Sequence, residues 1–327
     1  MGKKIFLLLL ALAILAGHPF ATSAAMGAEE ESPQINVMTT VFSGYDFVRQ
    51  ITGGKARITL LLPPGTESHS YEPTPQDIVR IQSSDVFVYV GGENEAWVDR
   101  MLSVMDTANM RLVAMMDCVD VVQAEIVEGM EAGEHGHGDE HEDEGEQKDD
   151  GPEYDEHVWT SPKNAKRIVQ KLCDALAEAD PENAGAYRLN TAAYLDQLDA
   201  LDAAFQEVVG QAVRKTVVFG DRFPFRYLAD AYGLTYSAAF PGCSTETEPS
   251  FRTVAFLIDK VQAEGIPVVF HIELSNEKMA DVICEATGAQ KLLLHACHNI
   301  TKDDFDRGAT YLELMTRNVA ALKEALW

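Results

Sequence analysis

The feature that most constrains this chain is an alternation of short β-like runs and helical patterns that occurs twice, on either side of a long helical stretch. In the first half, runs at Ile35 to Thr40, Ala56 to Leu62, Val86 to Val90 and Arg111 to Met115 read as strands. Helical patterns at Tyr45 to Thr52, Pro75 to Ser83 and Glu95 to Met105 separate them. Strands alternating with helices indicate a parallel sheet covered by helices. After Pro162 the pattern becomes helical for roughly 50 residues. Lys163 to Ala179 reads as a helix, Asp180-Pro181-Glu182 restarts it, and Leu189, Tyr194, Leu198, Leu201 and Phe205 follow at three- or four-residue spacing. The alternation then resumes, with strands at Thr216 to Phe219, Leu234 to Phe240, Pro267 to Ile272 and Lys291 to His295. The expected fold is α/β: two (β/α) lobes with parallel sheets, joined by a long rigid spine helix, with a site in the cleft between them.

The expected domain boundaries follow. Residues 1–28 read as a signal peptide, 33–162 as the first lobe, 163–213 as the helical spine and 214–327 as the second lobe. Lys3 and Lys4 precede the apolar run Ile5 to Ala16, and small residues follow at Ala21, Ser23, Ala24 and Ala25. That order suits a secretory signal, the run being short for a bilayer span; an uncleaved anchor is the alternative. His18 stands where a lipidated cysteine would follow Leu15-Ala16-Gly17, so a lipid anchor is unsupported. The expected location is the periplasm or the outer face of the membrane.

A formal charge of −26 argues against nucleic acid as a partner. Half of that excess lies between Glu128 and Glu156, where fourteen acids face one lysine. Within this segment, the loop 128–153 carries His135, His137 and His141 among acids. Composition reads it as an auxiliary, multidentate metal-binding tract, or as a solvating acidic linker. The five cysteines form no CxxC pair. Cys243 and Cys297 flank the second-lobe part of the site, and a disulfide between them is expected; a thiolate ligand is the alternative.

Three histidines fall where β-α loops should emerge. His69 follows the second strand, His157 precedes the spine, and His295 ends the last strand with His298 three residues on. Ligands of parallel α/β folds gather at the carboxyl ends of strands. Neutral imidazoles with one oxygen ligand suit zinc. Asp155 is placed to accept from His157 and fix its tautomer. Taken singly, each histidine is also compatible with an ordinary surface or core residue.

His69 with Tyr71-Glu-Pro-Thr-Pro75, Asp155-Glu-His-Val-Trp-Thr-Ser-Pro162 and Tyr227-Leu-Ala-Asp-Ala-Tyr-Gly-Leu234 resemble segments of the zinc/manganese substrate-binding proteins of ABC importers. Glu246-Thr-Glu-Pro-Ser250 and Glu285-Ala-Thr-Gly-Ala289 share that resemblance, which extends to the zinc-specific branch with a His- and acid-rich loop. It implies a two-lobed protein with the metal in the cleft and first ligands matching His69 and His157. The family's third ligand should precede Tyr227 by about five residues, where this chain has Arg222. A guanidinium cannot ligate a cation. Asp221 is the substitute candidate; alternatively it pairs with Arg222 or Arg226 and the ligands are histidines alone. His295 occupies the place of the family's final acid, with Glu273 and His298 in reserve.

The expected function is capture of Zn2+, with Mn2+ as the alternative, and its delivery to the membrane permease of an ABC importer, by a monomer that is not an enzyme. Two other readings are a secreted zinc hydrolase and a metal-stabilised surface adhesin. The chain has neither HExxH nor G-x-S-x-G, which weighs against the hydrolase.

Overall fold

The computed structural model describes residues 34–66, 71–130, 153–242, 244 and 249–327. The expected signal peptide, His69, the loop histidines His135, His137 and His141, and Cys243 lie outside the described residues.

The first sheet holds β1 (Ile35–Thr39), β2 (Ala56–Leu60), β3 (Val86–Tyr89) and β4 (Arg111–Ala114), all parallel, in the order β2-β1-β3-β4. The second holds β5 (Thr216–Phe223), β6 (Thr235–Pro241), β7 (Val268–His271) and β8 (Gln290–Leu293), in the order β6-β5-β7-β8. The two halves thus repeat one topology, with the chain reversing direction across the sheet beside β1 and again beside β5. Such switch points open a crevice at the carboxyl ends of the strands.

Helices α1 (Phe42–Thr52), α2 (Pro75–Gln82) and α3 (Ala96–Leu102) cover the first sheet. The Tyr71-Glu-Pro-Thr-Pro75 segment has a local role as the start of α2. Thr74 is the N-cap and accepts from Asp77 N, Asp77 accepts in return from Thr74 N, and Pro75 opens the helix. Tyr71 adds a hydroxyl bond to Asp77 Oδ2 at 3.2 Å.

The expected spine is two helices. α4 (Pro162–Ala179) ends at Asp180, and α5 (Ala184–Gly210) starts after a four-residue break. Asp180 holds the break together, accepting from Asn183 and, at 2.6 Å, from the buried Tyr187 hydroxyl. α4 packs back along α5 and touches β3 and β4 of the first sheet, while α5 contacts α1 in the first half and α6 and α10 in the second. Its 27 residues span about 40 Å.

The remaining helices are α6 (Arg226–Tyr232), α7 (Phe251–Glu264), α8 (Lys278–Thr287), α9 (Lys302–Asp306) and α10 (Tyr311–Leu326). Three apolar clusters result. One, including Phe47, Trp159, Leu198, Phe205, Phe219 and Leu314, runs continuously through both lobes around α4, α5 and α10. The other two lie on the outer faces, around Phe87 under α2 and α3 and around Leu257 under α7 and α8. Among the described residues no helix is long and apolar enough to cross a membrane.

Leu198 is fully buried in that continuous core. Leu198→Ala should lower unfolding stability by about 2–5 kcal/mol, read as a drop in the denaturation midpoint with little change in slope.

Candidate metal site between the lobes

His157 enters the cleft from a 3-10 turn (Val158–Thr160) ahead of α4. Asp155 Oδ1 accepts from His157 N at 2.9 Å and lies 3.3 Å from its Nδ1. That contact favours the proton on Nδ1 and leaves the Nε2 lone pair for a ligand. Asp155 is itself held from the second lobe, its carbonyl accepting from the Tyr227 hydroxyl at 2.7 Å. The same hydroxyl accepts from Val122 N at 3.2 Å, so the Tyr227-Leu-Ala segment serves to fasten the His157 arm.

Facing His157 is the loop after β8. The His298 ring lies 5.4 Å from that of His157, and Trp159 stands 5.2 Å from His298 and 5.7 Å from His157. The Trp159 indole donates to Ala296 O at 2.7 Å, and Trp159 O accepts from the Tyr311 hydroxyl at 2.7 Å. His157, Arg222, Glu273, His298 and Asn299 line one cavity of about 20 Å³, room for an ion or a single water. Gly242 packs closely against His157: a Cβ there would stand 3.2 Å from His157 Cε1 and 2.9 Å from Phe223 O.

Glu273 follows β7 and lines this cavity, but its carboxylate serves the facing loop. Oε2 accepts from Ala296 N at 2.7 Å and Oε1 from His298 N at 3.1 Å. His295, the expected ligand, is buried and does not line the cavity. Its main chain is clamped on both sides by Asn318 of α10. Its Nδ1 accepts from Cys297 N at 3.0 Å, which assigns the neutral ring's proton to Nε2, an atom buried with no partner among the described residues. Glu273 Oε1 lies farther off, at 3.6 Å from that Nδ1.

Asp221 is likewise committed elsewhere. β5 runs on to Phe223 through a register shift between Phe219 and Arg222, which places Asp221 inside the strand. Its carboxylate accepts from Arg222 N at 2.8 Å and Ile272 N at 3.2 Å. Arg222 is buried, lines the cavity and donates to Ser244 O at 3.3 Å. Of the expected Cys243–Cys297 pair only Cys297 is described: it is a free thiol, completely enclosed, its Sγ 3.9 Å from His295 O. Burial, with Glu273 and Asp46 adding negative charge, pushes that thiol well above its ordinary range.

A second cavity of about 30 Å³ adjoins His298 on the first-lobe side, lined by Thr40, Tyr71, Glu95 and Glu156 among others. Glu95 Oε2 accepts from Val90 and Gly91 N at 2.6 and 3.0 Å, and Glu156 accepts from Asn94 at 2.9 and 3.1 Å. These acids hold the turn after β3. No signal of spacing marked them, because their partners are the backbone amides of that turn and the Asn94 side chain. Among the described residues no three His, Cys, Asp or Glu side chains stand close enough to hold a metal ion.

Two parallel α/β lobes bridged by a long helix, with imidazoles from both sides of the cleft, define a two-lobed solute-binding protein. The family described as "Zinc-uptake complex component A periplasmic" matches residues 37–325, and the chain belongs to that family. The zinc-binding lipoprotein AdcA of Streptococcus pneumoniae serotype 4 is 32% identical over 323 residues, 98% of this chain and 61% of the relative. The chain therefore spans about three-fifths of the length of that relative. The high-affinity zinc uptake system protein ZnuA of Bacillus subtilis is 30% identical over 306 residues, 93% of this chain and 92% of the relative. The crystal structure of the Zn(II)-bound ZnuA-like domain of S. pneumoniae AdcA superposes with a TM-score of 0.73 at 28% identity, covering 90% of this chain and 99% of that domain.

Burial, reinforced by the like charge of Glu156, pushes the Glu95 carboxyl from 4.5 up to about 7. Between those values the unfolded chain has ionised this group while the folded chain keeps its proton. Stability of the zinc-free protein should therefore fall as pH rises through that window and level off above it. Urea melts of Glu95→Gln across the same range should show this descending limb flattened.

Proposed function

We propose that this chain is the extracytoplasmic capture component of an ABC-type importer, binding a divalent transition ion, zinc before manganese, and passing it to a membrane permease. The observation that carries the reading is the pairing of His157 and His298 across one small inter-lobe cavity, at 5.4 Å between rings. Family membership and the zinc-binding relatives support the choice of cargo. Imidazole donors favour zinc over manganese, which prefers more carboxylate.

In the proposed site His157 and His298 are ligands and His69 joins them from the first lobe. His298 replaces His295, whose Nδ1 already accepts a backbone N–H. Glu273 keeps its place as the nearby carboxylate, either as the oxygen ligand or as the brace of the His298 loop. The Asp155 contact orients His157. Arg222 sets a fixed positive charge beside the cation, so the ligand set must compensate for it. The reading is of binding without turnover. Both oxygens of Glu273 are engaged with backbone amides, which leaves it poorly disposed as a general base. The signal segment 1–28 would deliver the chain outside the cytoplasm, and the loop 128–153 would gather zinc weakly ahead of the cleft.

Metal analysis of purified variants tests the assignment. His157→Ala and His298→Ala should each lower zinc affinity by more than about 100-fold, beyond the usual effect of outer partners. His295→Ala and Asp221→Ala should keep the tight site. Retention in His298→Ala with loss in His295→Ala would reverse the assignment. Since ligation needs neutral imidazole, affinity should weaken as pH drops below about 6. Deleting residues 134–144 should lower total zinc stoichiometry in calorimetry and spare the tight site.

A further inference from the structure

The loop that carries His298 does more than present an imidazole. At three successive residues it reaches across to the first lobe. His298 O accepts from Phe42 N at 2.9 Å, at the start of α1, where the N-cap residue Val41 supplies no side-chain bond. A helix start leaves its first N–H groups without intrahelical partners, and here one of them is satisfied by the other lobe. Asn299 Nδ2 donates to Pro63 O at 2.9 Å and to Thr66 O at 2.6 Å, while its Oδ1 accepts from Ile300 N at 2.8 Å. Ile300 O then accepts from Gly65 N at 2.7 Å, Gly65 taking the φ of +84° that this turn requires.

Asn299 is 2% exposed and Ile300 fully buried, so these bonds are enclosed at the loop end, while Pro63, Gly65 and Thr66 are exposed at the other. The amide group of Asn299 has both donors and its acceptor engaged, an arrangement with little rotational freedom. Cys297, just before, sits at φ +58°, a left-handed conformation that a non-glycine residue holds only where its surroundings over-determine it. The Pro63–Thr66 turn is the chain that leads from β2 toward His69.

We propose that Asn299 is a positioning residue for the metal site: it fastens the His298 loop to the Pro63–Thr66 turn, so that donors from opposite lobes are held in register before the ion arrives. This rests on the reading of His298 as a ligand. Its consequence is that the site is set by a side chain that never touches the metal. Loss of the two amide donors would leave Pro63 O and Thr66 O without this partner and release the loop from the first lobe. The metal would then find its donors spread over several arrangements, and binding would weaken.

The test compares zinc affinity, by competition with a chromophoric chelator, and the visible spectrum of the Co2+-loaded protein, whose bands report coordination geometry. Asn299→Ala and Asn299→Asp are set beside wild type, His298→Ala and Asn190→Ala. Asn190 makes an ordinary inter-helix bond, Nδ2 to Ile51 O at 3.0 Å, away from the cleft. Both Asn299 variants should lose zinc affinity by about 10- to 100-fold, the range for residues that orient metal ligands, with altered cobalt bands. Asn190→Ala should lower thermal stability and leave affinity and spectrum unchanged. Should Asn299→Ala be too unstable to purify, Asn299→Asp keeps the shape and removes the donors, and the negative charge it adds beside a cation would by itself favour binding, so a loss still reports the missing donors. Loss of zinc in His298→Ala with retention in both Asn299 variants overturns the proposal alone. Retention in His298→Ala overturns the ligand assignment beneath it, and the proposal with it. Equal losses of affinity in Asn190→Ala and the Asn299 variants would reduce the effect to general destabilisation and overturn it also.

Discussion

The buried indole of Trp159 is the contact on which the cleft depends. Its N–H reaches Ala296 O, its own carbonyl receives the Tyr311 hydroxyl, and its ring stands against both His157 and His298. A large aromatic with a polar handle can fill the space between two lobes and still specify its orientation through that handle. Tyr311 continues the chain of contacts: its N–H donates to Asp46 Oδ2 in α1, at 2.8 Å. Burial raises the Asp46 carboxyl, while Arg49 beside it and the Tyr311 amide oppose that shift. The two lobes thus share one polar seam inside an apolar core.

This seam explains why binding groups can be few and small. Residues at and behind the cleft are held by a second residue through their main chain. Asp155 braces His157, Glu273 braces the 296–298 loop, and Asn318 clamps His295. Backbone amides and carbonyls are obligatory partners once buried. Carboxylates and amides near the cleft are therefore divided between shaping loops and facing the cavity. Asp221 belongs to the first group, although its charge and place in the chain read equally well as those of a ligand.

The halves of the molecule were legible for a simple reason. Alternating strand and helix patterns depend on local periodicity, and the strands Ile35–Thr39, Val86–Tyr89 and Val268–His271 each lie within a residue or two of their expected limits. The helical stretch was legible as helix but not as a hairpin of α4 against α5. Its turn depends on the Asp180–Tyr187 hydroxyl bond, a contact that no hydrophobic period announces.

Composition and order alone determined two α/β halves around a helical middle, the acidic His-bearing loop, and His157 as a cleft residue beside its Asp155 brace. The family likeness was equally legible, because its segments are contiguous in sequence. Only the tertiary structure decided which groups meet. A strand that continues three residues past Gly220 turns Asp221 inward, and a left-handed bend at Cys297 encloses the thiol and directs His298 rather than His295 toward His157. Such choices follow from backbone direction and from hydrogen bonds between residues far apart in the chain, which residue type and spacing do not encode singly.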